Sequence, residues 1–236
     1  MASEGSRQPS RGGAAAESDS HWVRWHEEYE KPQSPLTLRL RIVQGMVRDV
    51  VDSAAPGPVR IVSLCAGQGR DVIDSVQGHP RAPDVSALLV ELDPTLAAFA
   101  RDRARAAGLG AQVRIVEGDA GLCRWYADDV PADLVLVCGV FGNISGADIA
   151  RTVHALPGFC RSGAEVIWTR HRRPPDATPF IRAAFAEAGF EERAFEAPED
   201  HVLSVGRVRL DTGGPGSTFD PAARLFDFVG DGFAPA

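Results

Sequence analysis

The sequence predicts an α/β protein with a doubly wound, mostly parallel sheet, and three observations predict it. Apolar, β-branched runs of strand length alternate with segments of helical period. The first run, Val59–Leu64, breaks at a turn of small residues, Cys65-Ala66-Gly67-Gln68-Gly69, and a helical pattern opens at Asp71-Val72-Ile73. Glu91, closing the second run, lies 22 residues after Gly69, close to the ~20-residue offset at which an acid meets a ribose hydroxyl in mononucleotide-binding units. Strand, glycine turn and helix N-terminus together gather backbone N–H groups around a polar or anionic ligand. A nucleoside-bearing cofactor is the first expectation.

Taken in order, Met1–Ser20 is rich in Ser, Gly, Ala and Arg and reads as a disordered tail. Residues 21–236 read as one domain, with 21–55 as N-terminal helices or a lid and 56–236 as the cofactor-binding core. Trp22, Trp25, His26 and Tyr29 recur on one face of a short helix ending near Pro32. That face either docks on the domain or covers a ligand. Ser34-Pro35 caps a helix carrying Leu36, Leu40, Val43, Val47, Val50 and Val51 up to Asp52.

After the glycine turn a helix runs to about Gln77, where Gly78 and Pro80 end it. The second apolar run is Ala87–Leu92. Asp93-Pro94 then caps a helix over Thr95–Ala107, and Val113–Val116 is the third strand, followed by Glu117-Gly118-Asp119-Ala120. Ala132–Val137 is a fully apolar fourth strand leading into Cys138-Gly139-Val140-Phe141-Gly142-Asn143-Ile144. Ser145 caps the next helix, and Ala164–Thr169 is the fifth strand after Pro157-Gly158 and Ser162-Gly163. Thr178-Pro179 opens a helix ending at Gly189. Strands at about Glu192–Glu196 and Leu203–Leu210 form an antiparallel hairpin at one edge. Phe219, Leu225, Phe226, Phe228 and Phe233 are too aromatic for a free tail and are expected to dock.

Composition excludes several functions. The formal charge of −7 disfavours a nucleic-acid surface. No apolar run approaches the ~18 residues of a membrane span, and the N-terminus lacks the apolar stretch of a signal peptide. Cys65, Cys123, Cys138 and Cys160 sit singly, as buried thiols of a reducing cytosol do, so a cytoplasmic protein is expected. The six histidines show no H-x₃-H or HExxH spacing, so no metal is expected.

Cys65–Gly69, Glu91, Asp119 and Gly139–Asn143 all fall at C-terminal strand ends, where such sheets bind ligands. A dinucleotide fingerprint needs a third glycine, and Gly67-Gln68-Gly69 is followed instead by Arg70-Asp71-Val72. Asp71 would also repel a pyrophosphate. S-adenosylmethionine carries no phosphate and tolerates the acid.

Ser63-Leu64-Cys65-Ala66-Gly67-Gln68-Gly69, Val90-Glu91-Leu92-Asp93-Pro94 and Glu117-Gly118-Asp119-Ala120 resemble the class I S-adenosylmethionine-dependent methyltransferases over about Val59 to Leu210. The resemblance implies a Rossmann-like, seven-stranded sheet. It also implies that Cys65, Ala66, Gly67 and Gly69 pack against the cofactor's amino-acid portion. Glu91 would bind the ribose hydroxyls, Leu92 would pack on adenine, and Asp119, with Ala120 beside it, would take the adenine amino group. Gly139, Val140 and Phe141 would flank the sulfonium and begin the substrate pocket. Two departures stand out, since the family usually has an acid at Ser63 and glycine at Cys65. The chain is also similar to an actinobacterial methyltransferase subfamily with S-L-C-A-G-Q-G-R-D and C-G-V-F-G-N-I-S.

Methyl transfer from a sulfonium is an in-line displacement that needs a positioned nucleophile and, for a hydroxyl or carbon acid, a base. His171 and His26 are the base candidates. Thr169-Arg170-His171-Arg172-Arg173 is the densest basic cluster, either a solvated loop or a clamp in which Arg170 and Arg172 hold a substrate carboxylate or phosphate. Asn143 is a turn former or faces the substrate, as Trp22, Trp25 and Tyr29 would from a lid. The fourth-strand loop lacks the Asn/Asp-Pro-Pro-aromatic run that similar enzymes use on bases. A small-molecule substrate, either acid-bearing or a secondary metabolite, is therefore expected, and the protein is read as a monomer or homodimer. The alternative is a nucleoside-binding or assembly protein that keeps the fold without catalysis.

Overall fold

β1 (Val59–Leu64) pairs in parallel with β2 (Val85–Glu91) on one side and β4 (Ala132–Val137) on the other, so the sheet is built outward from it. This computed structural model describes residues 28–211 and 218–229. β3 (Val113–Glu117) lies parallel outside β2, and β5 (Cys160–His171) parallel outside β4. β7 (Leu203–Leu210) runs antiparallel to β5, and β6 (Phe190–Glu196) antiparallel to β7. The seven-stranded order is β3-β2-β1-β4-β5-β7-β6. The chain leaves β1 toward one edge and returns toward the other at β4, which opens a crevice beyond the C-terminal ends of β1 and β4.

Alternation within the strands divides the core into two layers. Ile61, Leu89, Leu134 and Ile167 face a layer closed by α1 (Pro35–Ser53), α2 (Arg70–Val76) and α3 (Pro94–Ala106) through Val43, Val47, Ile73 and Ala100. Val62, Val90, Val135 and Trp168 face the other, closed by α4 (Gly146–Ala155) and α5 (Thr178–Glu187) through Ile149, Val153, Ile181 and Phe185. Burial on both faces explains why these strands read as continuous apolar runs.

The caps form at the residues that the sequence marks. Ser34 Oγ accepts from Leu36 N at 3.2 Å, Asp93 Oδ1 from Thr95 N at 2.7 Å, and Ser145 Oγ from Asp148 N at 3.1 Å. β1, β4 and β7 have the bounds read from sequence.

Some strand bounds and the N-terminal element differ from expectation: β2 spans Val85–Glu91 rather than Ala87–Leu92, and β6 begins at Phe190 rather than about Glu192. β5 begins at Cys160 rather than Ala164, because Gly163 turns at φ +75° and the β4–β5 register shifts between Ala132 and Leu134. The strand continues through residues that read as a break. The antiparallel hairpin lies at one edge of the sheet as expected, with β7 against β5 and β6 outermost. At the N-terminus only a short 3₁₀ turn, Glu28–Glu30, lies within the described part of the expected aromatic helix, and Trp22, Trp25 and His26 fall outside the described residues.

The C-terminal aromatics divide. Leu225 and Phe226 are buried, and Phe219 lies edge-on to Phe159 at 5.1 Å between ring centres. Phe228 is partly exposed, and Phe233 lies outside the described residues. No described helix is long and apolar enough to cross a membrane.

Candidate cofactor site

The turn between β1 and α2 is built on left-handed backbone. Gly67 and Gly69 take φ of +55° and +68°, and a Cβ on Gly69 would lie 2.7 Å from Ile73 Cδ1. Cys65, at φ +50°, is the one non-glycine residue with positive φ among the described residues. A side chain in that conformation costs about 1–2 kcal/mol. This is the position where the resembling family has glycine, and the backbone geometry has stayed while the side chain changed.

Glu91 pins this turn to the next strand. Its Oε2 accepts from Gly67 N at 2.7 Å and its Oε1 from Asp93 N at 2.9 Å. Burial pushes the Glu91 carboxyl above its ordinary range, and the N–H groups of Asp93 and Gly67 pull it partly back. Leu92, the next residue, is 62% exposed, an uncovered apolar side chain beside a buried acid. Gly118 N donates to Glu91 O at 2.9 Å, which ties in the loop after β3. The Cys65 thiol feels burial first, then the charges of Glu91 and Asp119, and all three raise it well above its ordinary value. The structure therefore brings Cys65, Gly67, Glu91 and Asp119 together.

Asp119 sits in a tight turn, with Oδ1 accepting from Gly121 N at 2.9 Å and Oδ2 from Arg224 Nη2 at 2.9 Å. Ala120 is buried, and its carbonyl accepts from the Tyr126 hydroxyl at 2.8 Å. In the loop after β4, Gly139 N donates to Thr169 Oγ1 at 2.8 Å. Ala66 joins through its N–H to Val90 O at 3.0 Å and its carbonyl to Gly69 N at 2.9 Å.

Several expected substrate residues are placed otherwise. Phe141 is fully buried, 6.2 Å from the Trp168 ring and 6.3 Å from that of Phe185, so its side chain is core and not pocket wall. Val140 is also fully buried, which leaves only its backbone to face a ligand. The Asn143 side chain closes its own turn, donating to Gly139 O at 2.7 Å. Arg172 donates to the carbonyls of Pro198 and His201, each at 2.9 Å, and so staples the β6–β7 connection instead of joining the site.

Arg170 and His171 do flank the β4 loop. Arg170 is 3% exposed, and its Nη1 lies 3.2 Å from His171 Nε2 and 3.3 Å from where a Cβ on Gly142 would stand. Burial first, then the charges of Arg170 and Arg173, hold His171 below its ordinary pKa and so toward the neutral ring a base requires.

Sequence reasoning passed over one cluster at this site. Arg39 on α1 bonds the Tyr29 hydroxyl and interacts with Asp71 in the first turn of α2. Burial raises the Asp71 carboxyl, opposed by Arg39 and by a hydrogen bond with the Cys138 thiol. Burial likewise pushes the Tyr29 hydroxyl up to about 12. Arg70 lies 5.5 Å from the Tyr29 ring centre and 5.7 Å from that of Phe99, and pairs with Glu30 at 2.5 Å. The N-terminal turn is thus latched onto the residue following the glycine turn. Arg39 and Asp71 lie on different helices, so helical periodicity within either one carries no trace of the pairing.

No group of three or more metal-ligating side chains occurs among the described residues. All four cysteines are free thiols raised chiefly by burial, Cys123 to about 11 and Cys160 to about 12. Iodoacetamide at mildly alkaline pH is therefore expected to spare the buried Cys123, Cys138 and Cys160 of the native protein and to alkylate all four thiols after denaturation, as mass spectrometry would read. Rapid native labelling at Cys138 would show an open, ionised thiol and contradict this burial.

No protein-family model matches the chain, and no curated relative matches it. Solved structures do. The magnesium protoporphyrin IX methyltransferase of Synechocystis, solved with bound S-adenosylmethionine, superposes with a TM-score of 0.63 at 13% identity, over 81% of this chain and 92% of that one. An O-methyltransferase family protein from Burkholderia thailandensis gives 0.57 at 17% identity over 74% of this chain. This chain spans 57% of that protein's length. The cyclase SpnF gives 0.53 at 14% identity, over 71% of this chain and 82% of that one. The fold is that of the Rossmann-like S-adenosylmethionine-dependent methyltransferases.

Proposed function

We propose that the protein binds S-adenosylmethionine at the C-terminal ends of β1–β4 and transfers its methyl group to a small, acid-bearing molecule. The observation that carries this reading is the Glu91 constellation: a buried carboxylate bonded to Gly67 N of the left-handed turn, with Leu92 uncovered beside it. A nucleoside needs such an acceptor for ribose hydroxyls and such an apolar platform for a base. Arg39 and Asp71 would serve the opposite charges of the amino-acid end and stand in for the acid missing at Ser63. When bound, the cofactor supplies an electrophilic methyl carbon on a good leaving group.

The chain's own residues then hold the acceptor. Arg170 suits a substrate carboxylate or phosphate, and a neutral His171 beside it suits proton removal. Tyr29, with Trp22, Trp25 and His26 before it in sequence, would close the opening. We place this activity in the cytoplasm and expect no nucleic acid, no membrane and a monomer or homodimer.

Calorimetric titration with S-adenosylmethionine, S-adenosylhomocysteine and NAD(H) tests it. Micromolar binding of both sulfur nucleosides, with no heat from NAD(H), is the expected result, and no binding by either sulfur nucleoside overturns it. The Cys65 side chain at the turn favours a second reading, binding without methyl transfer, on a fold that also houses the cyclase SpnF. Binding without turnover of any acid-bearing small molecule in a substrate panel would favour that reading.

A further inference from the structure

After β7 the chain returns to the site. Residues 218–229 cross the loops that follow β3 and β4, bridging Leu122 to Arg224 and Ile144 to Phe228. Leu225 N donates to Gly121 O at 2.8 Å, Cys123 N to Ala223 O at 3.1 Å, and Val229 N to Asn143 O at 3.0 Å. A Cβ on Gly121 would lie 2.4 Å from Phe226 O, so the segment rests directly on the turn that carries Asp119. Leu225 and Phe226 are buried beneath it. This strap is anchored by apolar side chains, by backbone bonds and by the Thr152 hydroxyl, which donates to Leu225 O at 3.2 Å.

The strap's charges run toward the site. Asp227 Oδ1 accepts from Arg224 Nε at 2.7 Å, and Arg224 Nη2 reaches Asp119 Oδ2 at 2.9 Å. Gly121 N holds the other Asp119 oxygen. Two bonds on opposite oxygens fix the plane of the carboxylate, yet a carboxylate offers about four acceptor positions, so others remain. An ionised carboxylate accepts hydrogen bonds and donates none. A base presenting an amino group is therefore favoured over one presenting a carbonyl.

We propose that Arg224, oriented by Asp227, is a positioning residue that aims the Asp119 carboxylate at the exocyclic amino group of the cofactor's base, making the C-terminal strap a determinant of base specificity. The inference rests on the proposed cofactor reading. The ion pair is partly exposed, with side-chain accessibilities of 40% and 32%, so its removal should barely move the melting temperature. Its effect should appear in ligand discrimination instead.

The test measures dissociation constants for S-adenosylhomocysteine and its 6-oxo counterpart, S-inosylhomocysteine. One charge-assisted hydrogen bond corresponds to a wild-type preference of roughly tenfold for the amino compound. Arg224→Ala should cut that preference by about threefold or more through weaker binding of the amino compound alone, and Arg224→Lys, which lacks the fork, should restore only part of it. In an Asp119→Asn background, Arg224→Ala should change nothing further. Equal losses for both ligands, or an undiminished preference in Arg224→Ala, overturns the inference and leaves the cofactor reading intact. A wild-type protein that binds neither ligand overturns both.

Discussion

Replacing Glu91 with alanine is expected to lower affinity for S-adenosylhomocysteine by about 10- to 150-fold and to destabilise the fold as well. A lost ribose contact to a carboxylate costs about 1.5–3 kcal/mol, and the turn itself loosens. The structural loss comes from Gly67 N and Asp93 N, buried donors that would lack an acceptor. Unsatisfied buried donors cost about 1–3 kcal/mol each, so melting should fall by roughly 5–15 °C for a chain of this length. Glu91→Gln, which keeps the shape and one carbonyl oxygen, should retain most of the stability and still bind about tenfold more weakly. Wild-type affinity in Glu91→Ala would remove Glu91 from the site.

The pH dependence follows from the raised Glu91 pKa. Protonation is easier in the folded state than in the unfolded one. The stability that Glu91 protonation contributes is therefore fully present below the ordinary carboxylate range and is lost as pH rises through the raised value. Cofactor binding has the opposite slope, because ribose hydroxyls donate to the ionised form. Affinity should weaken as pH falls through that same value, and Glu91→Gln should flatten the profile. Calorimetry over a pH series reads both.

Gly206→Ala is expected to cost about 3 kcal/mol or more of stability, roughly 6–12 °C in melting temperature. Gly206 pairs with Trp168 across β5 and β7, and a Cβ there would stand 2.2 Å from Trp168 Cε2. The ring has nowhere to retreat. It is fully buried, stacked on Phe185 at 5.9 Å and close to Phe195 at 5.9 Å. Its displacement would also shift Thr169, which holds Gly139 N, so cofactor affinity should fall with stability. Thermal melting with near-ultraviolet circular dichroism tests this, and adding Trp168→Leu should recover part of the loss. An unchanged melting temperature would show that the ring moves freely.

The glycine turn was legible because its information is local. An apolar run, small residues and two glycines spell strand, left-handed turn and helix within residues 59–76, and the backbone follows that reading at Gly67 and Gly69. Glu91 was legible for a related reason, since a continuous apolar run ends there and a helix cap follows at once. Arg172 misled because an arginine next to a strand end has the same sequence signature whether it faces a ligand or staples a loop. Phe141 misled because a residue in a glycine-punctuated loop can still point into the core beneath it.

By itself the sequence determined the α/β alternation, the caps, the bounds of β1, β4 and β7 and the turn at which a nucleoside is proposed to bind. Each depends on the period or conformational freedom of neighbouring residues. Only the tertiary structure decided that β7 inserts between β5 and β6, that Trp168 lies over Gly206, that Arg39 meets Asp71, and that the strap carries Arg224 to Asp119. Those contacts join residues from tens to more than a hundred positions apart. They form because the folded sheet holds the partners within reach, and no local pattern records that proximity.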